Sequence, residues 1–109
     1  MPTNYLLIES RAGVDARDGG FACELAAALA RRGDRVALFA LQNGVLTLRA
    51  GAEVPALAAL MRAGVPVMAD SFSLRERAVP PEQLAAGVVP SELGTVIDRL
   101  ADGWRVIWH

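Results

Sequence analysis

The chain has 109 residues and a formal charge of −1, with 11 basic against 12 acidic side chains. That balance provides no basic stripe to release counterions, which argues against nucleic acid as a partner. Cys23 is the single cysteine, which excludes an internal disulfide and a multi-cysteine metal centre, and no apolar run approaches the ~20 residues of a membrane span.

The length is that of one domain, residues 1–109, and a chain of this size buries roughly 65% of its unfolded surface. At 53% the apolar content is high for so small a domain, and self-association is expected to cover part of it. All basic residues are Arg, with no Lys, a chain-wide bias of composition. The opening Met1–Pro2–Thr3–Asn4–Tyr5 lacks a basic segment followed by an apolar core, so a cytoplasmic protein without a signal peptide is expected.

In chain order, Tyr5–Ile8 predicts the first strand, followed by a polar loop through Gly13 to Arg17. Asp18 is the expected N-cap of a helix from about Gly19 to Arg32, stopped at Gly33. Phe21, Leu25 and Leu29 recur every four residues and are expected to face the sheet. Arg35–Leu41 is apolar on both faces, as a central strand of a doubly covered parallel sheet requires. Gln42–Asn43–Gly44 breaks it, and Val45–Arg49 turns back helically. Pro55 suits the first turn of a second helix with Leu57, Leu60 and Met61 as its buried stripe, ending at Gly64.

Val65–Ala69 predicts the third strand. Its carboxyl end opens into Asp70–Ser71–Phe72–Ser73–Leu74–Arg75–Glu76–Arg77, and a helix begins near Ser71. Pro80–Pro81 forces a break, and Glu82–Ala86 forms a short helical turn. Val88–Pro90 is short and proline-bound, which leaves a strand there open. Ser91 is expected to cap a helix over Glu92–Asp102, with Leu93, Val96, Ile97 and Leu100 as its buried stripe. Gly103 ends that helix and Trp104–Trp108 is the last strand. The alternation predicts a three-layer α/β sandwich with four to five mostly parallel strands and helices on both faces.

In such a sheet ligands gather at the strand ends. That places Glu9, Ser10 and Arg11, then Gln42 and Asn43, then Asp70–Arg77, with His109 after the last strand. Candidate ligand- or partner-binding residues are Gln42, Asn43, Asp70, Ser71, Ser73, Arg75 and Arg77. Asp70 reads either as a recognition residue or as the cap of the helix that follows. Glu9 and Arg11 read as exposed loop residues, Arg75–Arg77 as a charged helix face, and His109 as a frayed end or a base beside Asp70. No phosphate-binding glycine loop, nucleophile elbow or metal-ligand spacing is present, so no cofactor or metal is expected. Cys23 lies among Ala22, Ala26 and Ala27, where a cysteine behaves as a small hydrophobe.

Several elements together resemble the DsrE/TusD-like sulfur-relay family: the strand ending in Leu41–Gln42–Asn43–Gly44–Val45, the entry Ala63–Gly64–Val65, the segment Leu74–Arg75–Glu76–Arg77–Ala78–Val79, and Leu84–Ala85–Ala86–Gly87–Val88. The resemblance runs from about Tyr5 to Ile107. It implies a flavodoxin-like sandwich that assembles with itself or with related subunits, and sulfur carried as a cysteine persulfide. Counting back from Leu74–Val79, the family cysteine falls on Asp70, which cannot hold sulfane sulfur. The resemblance therefore implies a non-carrier accessory protein. The alternatives are an active carrier using Cys23, and a binder of a small anion or metabolite at the strand-end crevice.

Overall fold

The computed structural model describes residues 3–12, 16–52 and 54–109, apart from the side chains of residues 16–19. Five parallel strands form one sheet: β1 (Asn4–Glu9), β2 (Arg35–Ala40), β3 (Val67–Asp70), β4 (Val89–Ser91) and β5 (Arg105–Trp108), in the order β4-β3-β2-β1-β5. The helices are α1 (Ala16–Arg31), α2 (Pro55–Arg62), α3 (Ser71–Glu76) and α4 (Gly94–Ala101). Short 3-10 segments span Gln42–Leu48, Ala50–Ala52 and Pro81–Gln83. The α/β sandwich with helices on both faces is as the sequence predicts.

Alternate residues of each strand enter different cores, because successive side chains of a strand point to opposite faces. On one face Leu7, Leu38 and Val67 pack with Ala22 and Ala26 of α1 and Leu57 and Leu60 of α2. On the other, Leu6, Ile8, Phe39 and Met68 meet Val96 of α4. β2 is buried on both sides, and a side chain such as Phe39, fully enclosed, contributes about 2 kcal/mol. Gly64 ends α2 in the left-handed region at φ 80°, where a β-carbon would be strained.

Several expectations are revised. α1 starts at Ala16, so Asp18 lies inside its first turn rather than before it; the Asp18 side chain and residues 13–15, including Gly13, lie outside the described residues. The fully buried residues of α1 are Ala22, Cys23 and Ala26, and Phe21 is 46% exposed; Leu25 and Leu29, half-buried, pack against the sheet-side core as expected. Small residues let the helix backbone approach the sheet, and Phe21 lies outside that contact.

Val89–Ser91 is a strand after all, at the sheet edge, where a proline that cannot donate to the ladder is tolerated. Ser91 thus ends a strand instead of capping a helix, and α4 begins at Gly94. Of the predicted α4 stripe only Val96 is buried; Leu93, Ile97 and Leu100 are more than half exposed. On this side of α4 Arg99 lies over the Trp104 ring, 4.5 Å from its centroid, a contact of about 1 kcal/mol. Trp104 fills the space beside Val106 that the leucines were expected to occupy.

Candidate functional site at the strand ends

Asp70 closes β3 and caps α3. Its Oδ2 accepts from the Ser73 backbone N–H at 3.0 Å and from Ser73 Oγ at 2.6 Å. Ser73 Oγ in turn accepts from the backbone N–H of Gln42 at 2.7 Å. Gln42 stands at φ 52°, in the left-handed region, so this bond holds a strained residue at the start of the 3-10 segment. Arg77 Nε donates to Asn43 Oδ1 at 3.0 Å, and its Nη1 donates to the Ser73 carbonyl at 3.3 Å.

Five of the seven predicted residues, Gln42, Asn43, Asp70, Ser73 and Arg77, therefore form one network joining the loop after β2 to α3. Ser71 is half-buried and Arg75 exposed, and neither joins it. Asp70 and Ser73 are buried. Asp70 Oδ2 is turned back onto its own helix, and the Ser73 hydroxyl both donates and accepts within the chain.

A second polar cluster lies at the ends of β1 and β5, which neighbour each other where the strand order reverses. Glu9 is only 5% exposed, and both its oxygens lie on His109 Nδ1, at 2.8 and 3.0 Å. The imidazole stacks on Phe21 with centroids 4.5 Å apart. Backbone bonds from His109 to Ile8 and from Ser10 to His109 extend the ladder. On the opposite face, Ser10 Oγ donates to the His109 carbonyl at 3.0 Å and accepts from Trp108 Nε1 at 3.1 Å.

Burial pushes the Glu9 carboxyl above its usual range, against the opposing pull of His109 and Arg11. Two expectations fall here. Glu9 is not an exposed loop residue, although Arg11 is exposed as expected. His109 is tied down, and it sits beside Glu9 rather than Asp70: β5 and β3 are three strand spacings apart, roughly 14 Å at ~4.8 Å each. The signal available in the sequence was an acid directly following a fully apolar strand.

Cys23 is 6% exposed on the inner face of α1. Burial first, and then the negative charges of Glu9 and Glu24, push its thiol up to about 11. Among the described residues no three His, Cys, Asp or Glu side chains gather as a metal site would require.

The parallel five-stranded fold is shared with known proteins, and the sequence places the chain in a family. The sequence pattern of the DsrE/DsrF-like family matches residues 5–109, and the chain belongs to that family. The fold is similar to that of the ychN protein from E. coli, with a TM-score of 0.87 at 17% identity, covering 98% of this chain and 99% of that one. It is also similar to MTH1491 from Methanobacterium thermoautotrophicum, a protein of unknown function, with a TM-score of 0.80 at 23% identity and full coverage of both chains. No curated protein matches the sequence.

Proposed function

We propose that this chain is a binding or accessory member of the sulfur-trafficking DsrE/DsrF-like family, one domain over residues 1–109, and not a persulfide carrier. The observation that carries the reading is the Asp70–Ser73–Gln42 network. The family resemblance puts the carrier thiol at Asp70, and a relay needs an exposed, easily ionised thiolate there. In its place stands a buried carboxylate already bonded to its own helix. Recognition falls to the rim of this network, with Asn43, Arg75 and Arg77 available to an acidic group.

Cys23 gives the carrier alternative no support, being buried with a raised pKa. The expected setting is cytoplasmic; no helix of the described residues is long and apolar enough to cross a membrane. The partner is a second copy or a related subunit, and neither nucleic acid nor a cofactor is involved. The exposed Leu93, Ile97 and Leu100 of α4, flanked by Val89 and Trp108 on the two edge strands, support that choice, because one apolar layer spans that side of the sheet.

The test is intact mass after incubation with a sulfane-sulfur donor, beside a thiol-alkylated control. The expected result is no added sulfur, with Cys23 alkylated only after unfolding. Sulfur addition that alkylation abolishes would overturn the reading. An Asp70→Cys variant asks whether relay geometry survives: persulfidation of that thiol would show that only the residue has changed. The Glu9–His109 pair favours a second reading, a small anion or metabolite at the β1–β5 crevice, since a buried acid and a half-stacked imidazole at a reversal of strand order suit a polar ligand.

A further inference from the structure

A groove runs along α2, between that helix and the segments 49–51 and 83–86. Two concavities of about 350 and 340 Å³ adjoin there, sharing Arg49 and Ala50. Each is within the size range of small-molecule sites, roughly 300–1,000 Å³. The floor is apolar: Leu57, Met61 and Ala85 line the second concavity, with Arg62 at its rim. Met61 can lie in the groove wall because Gly87 leaves it room; a β-carbon there would come within 2.5 Å of Met61 Cε. A flexible thioether makes the floor adaptable to the shape of an occupant.

The two guanidinium groups give the groove its chemistry. Arg49 Nε donates to the Leu46 carbonyl at 3.0 Å, which orients the planar head while leaving its other N–H groups unspent. The ion pairs of the described residues are Arg32–Asp34 and His109–Glu9, so neither Arg49 nor Arg62 has a carboxylate partner among them. An apolar trough with cations at its rim and no acid paired to them among the described residues is complementary to one class of molecule. We propose that this groove binds a small amphiphilic carboxylate, its aliphatic body along Leu57, Met61 and Ala85 and its head group on Arg49 and Arg62. A planar carboxylate matches the guanidinium fork.

The test is titration of the full chain with sodium octanoate below its micellar concentration, followed by methyl NMR, with 1-octanol as the neutral counterpart. Saturable shifts at Ala58, Met61 and Ala85 are expected, with octanol binding at least tenfold more weakly. Arg49→Gln combined with Arg62→Gln should weaken octanoate at least tenfold and leave octanol unchanged. Glu53, whose placement lies outside the described residues, supplies a control: Glu53→Gln should bind octanoate no tighter than the wild type.

The proposal is overturned by any of four results: no saturable shift, equal binding of octanol, shifts confined to Leu93, Ile97 and Leu100 of α4, or a tenfold gain in Glu53→Gln. The last would mean that the chain's own carboxylate already holds the arginines. Should the double arginine variant fail to fold, the octanoate–octanol comparison on the wild type still decides.

Discussion

Replacing Asp70 by Ala removes an acceptor that serves two donors, the backbone N–H and the hydroxyl of Ser73. The lost helix cap costs about 1 kcal/mol, and the lost charge-assisted bond from a buried hydroxyl adds about 1.5 kcal/mol. Asp70→Ala should therefore lose about 2.5 kcal/mol, a fall in Tm of roughly 12 °C for a domain near this size. Ser73→Ala removes the same hydroxyl bond and also leaves the part-buried Gln42 N–H without its acceptor, a total of about 2 kcal/mol.

Because the Asp70–Ser73 bond is common to both variants, the double variant should cost about 1.5 kcal/mol less than the two losses added. Urea unfolding is the assay, with an unchanged m-value confirming that the two-state comparison holds. Asp70→Asn keeps an acceptor for the cap and should lose only about 1 kcal/mol. The reasoning is refuted if Asp70→Ala costs less than about 0.5 kcal/mol, or if the two losses add in full. Either result would release Asp70 from its structural duty and return it to recognition.

Glu9 supplies the pH dependence. Its folded pKa is raised above 4.5 by burial, so the stability linked to its protonated form is present below pH 4.5 and is lost as pH rises through the folded value. Thermal melts across this interval should show that slope, and Glu9→Gln, which cannot titrate there, should lack it. Gly44 packs against the backbone of Glu9, where a β-carbon would collide with the Glu9 carbonyl oxygen, while Gly51 has open space. Gly44→Ala should cost about 3 kcal/mol by denaturant unfolding and Gly51→Ala less than about 0.5 kcal/mol; equal losses would contradict the close approach. Ile97→Asp with Leu100→Asp removes no buried contact, so folding should persist. If α4 is the self-association surface, light scattering should record a smaller assembly than the wild type, and an unchanged mass would exclude that surface.

The family resemblance was legible because its signals are local and ordered along the chain: apolar runs that read as strands, glycines or prolines that end helices, and spacing between the loops. β2 declared its central place through apolarity on both faces, and the position of Asp70 between a strand and a helix offered capping as one of its two readings. The grouping of Gln42, Asn43, Ser73 and Arg77 also followed, since parallel strands bring their carboxyl ends together.

What the sequence alone determined, then, was which segments are strands and helices, except the proline-bound edge strand β4 and the start of α4, and hence a parallel sheet with its loops at one edge. Tertiary structure decided which way each helix turned. A four-residue repeat marks an apolar face without saying what that face meets, so Phe21 and the α4 leucines were assigned to a core that Ala22, Ala26 and Trp104 occupy instead. Tertiary structure likewise joined Glu9 to His109, because strand order is a matter of packing between elements far apart in the chain. A buried acid and its partner 100 positions away leave no local pattern; only the pairing of β5 beside β1 brings them within a hydrogen bond.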